Sequence, residues 1–146
     1  MNLSKNVKVT QLLGYFAAGQ TVRKSAILDM AGYEGVMFVY SFGTILDTGV
    51  IACGVNGNTT NATGGTALTA ATATATVTAT TASLTSSAIV TEVYQPDPAT
   101  SRYLEAMITP TVANTVILGI VAIQYQGKVK PEITTQLLAT AFAVSP

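Results

Sequence analysis

Hydrophobic and polar positions along this chain repeat with period 2 more often than with period 3.6, and turn residues punctuate the apolar runs. Residues 36–42, Val-Met-Phe-Val-Tyr-Ser-Phe, are dense in β-branched and aromatic side chains and lie between Gly35 and Gly43. Residues 50–55 form a second apolar run. It leads into Asn56-Gly57, the dipeptide that best supplies positive φ to a tight hairpin turn. A third run, 88–94, closes on Gln95-Pro96-Asp97-Pro98, whose prolines forbid a continuing central strand. Residues 102–109 alternate: Leu104, Ala106 and Ile108 face one way, Tyr103, Glu105 and Met107 the other, and Pro110 is expected to end the strand. The longest candidate, 115–125, is apolar almost throughout, which predicts a strand covered on both faces.

Between these runs, residues 59–87 are low in complexity, with twelve Thr and eight Ala among 29 positions. Residues 71–80 alternate strictly, so Thr72, Thr74, Thr76, Thr78 and Thr80 share one face and small apolar groups the other. The expectation is a strand with a hydroxyl face and a shallow Ala face; a polar loop is the competing reading. Residues 59–69, with Gly64-Gly65, read as loop. Helical spacing occurs only near the termini, over 9–18, where Leu12, Leu13, Phe16 and Ala17 share a face, and over 134–143. The predicted fold is all-β: a jelly-roll-like antiparallel β-sandwich with extended terminal arms. It forms a single domain over 1–146, with an N-terminal arm at 1–10, an Ala/Thr-rich insertion at 59–87 and a C-terminal arm at 132–146.

Composition narrows the function classes. Only 10% of residues are charged and the net charge is zero, against about 25% charged in an ordinary domain. No long-range field then steers the chain to nucleic acid or to an anionic membrane, and a neutral, 49% hydrophobic chain favours association. The basic residues Lys5, Lys8, Arg23, Lys24, Lys128 and Lys130 are too sparse for a phosphate-binding patch. The N-terminus has no apolar signal region, and the most apolar stretch, 116–123, falls far short of the ~20 residues of a membrane helix. Without a secretion signal, the glycosylation-type triplets at Asn58 and Asn61 read as chance. The single cysteine, Cys53, reads as a small buried apolar side chain, consistent with a reducing cytoplasm.

With no histidine, the chain has no Ser/His/Asp triad, Cys/His pair or His-based metal site. Two carboxylate pairs remain on paper for general acid–base work, Asp29 with Glu34 and Glu92 with Glu105, but surface or ion-paired acids are the expected reading. No catalytic, cofactor-binding or metal-binding residue is assigned. Tyr15, Tyr33, Tyr40, Tyr94, Tyr103 and Tyr125 are scattered, so core or interface use is expected of them.

Three stretches share an order and spacing. They are Leu28-Asp-Met-Ala-Gly-Tyr-Glu-Gly-Val36, then Arg102-Tyr103, then Gly119-Ile-Val-Ala-Ile-Gln-Tyr125 ahead of Gly127-Lys-Val-Lys-Pro131. On these the chain resembles the small head-decoration, or cement, proteins of tailed bacteriophages over about residues 6–131. The middle departs from that pattern, with the Ala/Thr tract where a varied polar hairpin is usual. The resemblance implies a non-enzymatic structural virion protein, made in the host cytoplasm, that binds the outside of the capsid and stabilises it. The implied partners are the major capsid protein and other copies of this chain, a homotrimer or alternatively a dimer, with no nucleic acid, membrane or small-molecule substrate. A surface adhesin or carbohydrate-binding β-module on a virion or appendage is the alternative; a hydrolase using carboxylates alone is the third reading.

Overall fold

The computed structural model describes residues 7–69, 72–79 and 86–125. In chain order the strands are β1 (Val7–Leu13), β2 (Phe16–Gly19), β3 (Arg23–Lys24), β4 (Leu28–Asp29), β5 (Gly35–Ile45), β6 (Val50–Asn58), β7 (Thr66–Ala67), β8 (Ala75–Thr78), β9 (Ser87–Tyr94), β10 (Tyr103–Thr111) and β11 (Thr115–Tyr125). No helix occurs among the described residues. Two antiparallel sheets pack face to face. The first runs β1-β11-β5-β9, with β2 also on β11; the second runs β3-β10-β6-β7, with β4 also on β10 and β8 on β6.

The alternation of the long strands builds the core. Val36, Phe38, Tyr40 and Phe42 of β5 meet Ile51, Cys53 and Val55 of β6 and Leu104, Ala106 and Ile108 of β10, all buried. Fully burying each large apolar side chain contributes about 1.5–3 kcal/mol. Tyr40 crosses the core with its phenol satisfied, donating to Gly54 O at 3.2 Å and lying 3.0 Å from Thr91 Oγ1. Cys53 is buried among these residues and burial pushes its thiol well up. That environment suits a packing group, not a nucleophile.

The face predicted for residues 102–109 is the one observed: Leu104, Ala106 and Ile108 point inward and Glu105 outward. The Ala/Thr tract also alternates. Ala73, Val77 and Ala79 are buried, Thr74, Thr76 and Thr78 are exposed, and residues 75–78 pair with β6 as a strand. Thr80 lies outside the described residues, as do the expected helix at 134–143 and the expected arm at 132–146. Of the segment expected as an N-terminal arm, residues 7–10 belong to β1 and the rest are not described.

Four expectations are corrected. Residues 9–18 are strand, not helix, because β1 and β2 both pair with β11. Asn56-Gly57 is not a turn: β6 runs through it, pairing Gly57 with Leu104 and Asn56 with Glu105. Gly57 is required there because a Cβ would lie 2.5 Å from Ser101 Oγ. Pro110 does not end its strand; it pairs with Ile51. Neighbours on the other side of β10 reach only to Ile108, so the missing N–H leaves no bond unmade there. Finally, β11 is covered on both faces only in part. Ile120, Ala122 and Gln124 are fully buried inward, while Val121 and Ile123 are half-buried outward.

Candidate binding surface

The two ends of the sandwich differ, and each end gathers a distinct set of residues. The 11 residues of β5 separate them by about 35 Å.

At one end, the three stretches that carry the resemblance are bound together. Arg102 donates to both carboxylate oxygens of Asp29, at 2.9 Å each. Met30 N–H donates to Arg102 O at 2.9 Å, Gln124 Nε2 to Asp29 O at 2.9 Å, and Glu34 N–H to Tyr125 O at 3.0 Å. The Tyr125 ring lies over Gly35, its cross-strand partner, where any Cβ would collide with the phenol. Its hydroxyl donates to Glu92, and burial followed by this carboxylate raises the phenol's pKa. Arg102 and the Ala31 N–H hold the Asp29 carboxyl below its ordinary value. A cleft of about 310 Å³ opens here between Met30, Ala31, Gly32 and Tyr33 on one side and Pro96, Pro98 and Arg102 on the other. The bonds from Arg102, Gln124 and Glu34 tie together segments far apart in sequence, and they form the framework of this end.

The acids that sequence offered as pairs are not brought together as pairs. Asp29 is engaged by Arg102, while Glu34 accepts from Tyr94 Oη at 3.1 Å and Gln95 Nε2 at 3.5 Å. Glu92 on β9 and Glu105 on β10 point outward from opposite sheets, with the core between them. Glu105 is buried beneath the 64 loop, 3.4 Å from Gly64 N and 3.7 Å from Lys24 Nζ. Across the expected pairs, Glu34 and Glu92 converge instead on two phenols: Tyr94 donates to Glu34 and Tyr125 to Glu92, and burial followed by both carboxylates raises the pKa of both phenols. Among the described residues, no group of three or more Cys, Asp or Glu is placed to hold a metal ion.

The opposite end carries apolar side chains and strained backbone. The β10–β11 connection bends through Val112 at φ +70°, with Ala113 N–H donating to Thr111 O at 2.8 Å. That three-residue turn with positive φ is rare and strained. Next to it, the β5–β6 turn places Thr48 at φ +65° and closes with Gly49 N–H on Leu46 O at 2.9 Å. Both residues are β-branched, for which this region costs about 1–2 kcal/mol. The turns are tied together: Leu46 N–H donates to Asn114 O at 3.2 Å and Gln20 Nε2 to Asn114 Oδ1 at 3.3 Å. The turns expose apolar side chains beside polar ones, since Asp47 and Thr48 follow Leu46 and are exposed as well. Val112 is 66% exposed, Leu46 45% and neighbouring Val22 44%, with Leu118 of β11 at 47%.

Sequence reasoning missed this rim. Its strained positions carry neither Gly nor Asn, and its exposed Val and Leu read as strand residues. Comparison with protein-family models finds no match for the chain, and comparison with curated protein sequences finds none.

Proposed function

We propose that this chain is a structural virion protein that binds the outer surface of a phage capsid and stabilises it, docking through the apolar rim of Val22, Leu46 and Val112. The observation that carries the reading is that rim: exposed apolar side chains held on two strained, mutually bonded turns. Strain of this kind persists where the surrounding structure fixes it, and it clusters at sites of function. The sparse charge and absence of histidine agree with a protein that binds and performs no reaction. The resemblance to decoration proteins supplies the partner, the major capsid protein, and the location, the virion exterior.

Docking of this kind is dominated by apolar burial and depends weakly on salt. Heads purified from the source phage are expected to carry the chain at a fixed ratio to the major capsid protein and to retain it in moderate NaCl. Complete release by salt alone, or absence from heads, overturns the reading. The outward Thr74, Thr76 and Thr78 hydroxyls support a second reading, a carbohydrate-binding module. Specific retention on a glycan array supports that alternative.

A further inference from the structure

Among the described residues, β1 pairs with β11 and with no other strand. Among the described residues its far side accepts one bond, from Ala26 N–H to Leu12 O at 3.0 Å, and none of them pairs with residues 7–11 along that edge. The edge is almost uncharged, with Lys8 alone ionised, and Val9 is 65% exposed on it. Native edges are usually blunted by several charges, a proline or a covering loop, and an unprotected one is a template for another extended strand. We propose that two copies of this chain pair antiparallel along β1, about a two-fold axis at Val9. The pairing is independent of the shell-binding function.

Register selects this arrangement. Centred on Val9, the pair sets Val9 opposite the partner's Val9, Lys8 opposite the partner's Thr10, and Val7 opposite the partner's Gln11. No like charges face each other. Moving the axis to Lys8 would oppose two lysines directly, which is destabilising, and moving it to Thr10 would set Val9 against a glutamine. The outward apolar rows then continue across the axis, because Val9 stands beside Ile123, which in turn stands beside Met37. Zero net charge removes long-range repulsion between the copies.

Topology favours two copies over a ring built by strand pairing. A ring needs a second, different edge to receive β1. The other long edge of the first sheet is β9, and Glu92 N–H in its middle already donates to Thr72 O at 2.7 Å. The edge strands of the second sheet have only two to four residues.

Light scattering on the purified full chain tests this. The expected mass is twice the 15.0 kDa chain. Val9→Lys and Val9→Glu, each made at an exposed position, are expected to stay folded by circular dichroism. Each alone should weaken the dimer about a hundredfold, and an equal mixture should restore it, since opposite charges then meet. A wild-type monomer up to about 100 µM, a three-chain mass, or dimers undiminished in Val9→Lys overturns the pairing. If either variant unfolds, backbone-amide exchange of wild type decides: slowed exchange along residues 7–11 at dimer concentrations supports the pairing, and exchange independent of concentration overturns it. A dimer that ignores capsids would overturn the shell reading and leave this one standing, while a monomer that decorates them would do the reverse.

Discussion

Replacing Val112 by Asn separates folding from docking, because the two effects have opposite signs. Asn adopts positive φ far more readily than a β-branched residue, so the change relieves most of about 1–2 kcal/mol of backbone strain. Val112 is 66% exposed, so only about a third of its side chain is covered by its own chain. Losing that cover removes about 0.5–1 kcal/mol of the 1.5–3 kcal/mol that full burial of a valine provides. The balance is a gain of about 0.5–1 kcal/mol, or a rise of about 2–3 °C in Tm for a chain of this length. At the shell the sign reverses. The exposed two-thirds of the side chain is what docking would cover, and its loss weakens each rim contact about tenfold. Thermal melting of the free protein and co-sedimentation with stripped heads read the two effects separately. Destabilisation by more than about 1 kcal/mol would refute the strain argument. Unchanged sedimentation alongside the higher Tm would refute the rim as the docking surface.

Two further changes test the framework. Gly57→Ala places a methyl 2.5 Å from Ser101 Oγ and 2.7 Å from its Cβ, both on a buried residue. Overpacking of this kind costs about 1–3 kcal/mol, and a urea midpoint unchanged from wild type would show that β6 does not run through this position. The Asp29–Arg102 pair gives a pH dependence of known sign. The folded pKa of Asp29 lies below its ordinary 3.8, so the pair's contribution is present above that value and is lost as pH falls through the folded value. Because both side chains are nearly half exposed, the effect is below about 1 kcal/mol. Asp29→Asn should flatten stability as pH falls below the ordinary 3.8, and a slope identical to wild type there would place the acid sensitivity elsewhere.

The all-β architecture was legible because β5 is dense in β-branched and aromatic residues between glycines, β9 is a short run closed by prolines and β10 alternates, and even the low-complexity tract obeyed its period where it pairs with β6. The failures have physical causes. Over residues 9–18, a strand carrying a bulge imitates a helix. The register slips between Gln11 and Leu13, and Gly14-Tyr15 separates β1 from β2, so Leu12, Leu13, Phe16 and Ala17 fall at helical spacing without forming a helix. At Asn56-Gly57 the local turn preference lost to nine consecutive cross-strand pairs with β10. Glycine there answers to Ser101, a contact 44 positions away that no local rule anticipates. The rim was illegible for a related reason. Positive φ at Thr48 and Val112 is imposed by turns bonded to Asn114 and Ala79, and neither residue type signals it.

The edge pairing and the rim constrain each other. An antiparallel pair about an axis through Val9 points its two rims in opposite directions, since β1 runs toward its own rim in each copy and the two β1 strands run opposite ways. Such a pair cannot stand on a shell with both rims down. If both proposals hold, it would lie along the surface with the rims at its two ends, each rim reaching a different capsid subunit. In that posture the two-fold axis stands normal to the shell and the long continuous sheet bridges the boundary beneath it. Each rim contact can then be weak. Once one end is bound, the other is held near its site at high effective concentration, which raises avidity by about 10²–10⁴ without any new contact. Asp29, Glu34 and Arg102 sit at the end away from the rim, engaged with one another's segments, while the rim sets the carboxylate Asp47 beside Leu46 and Val112. Under both proposals together, such a pair would resist separation of the subunits it spans through the strength of its own sheet.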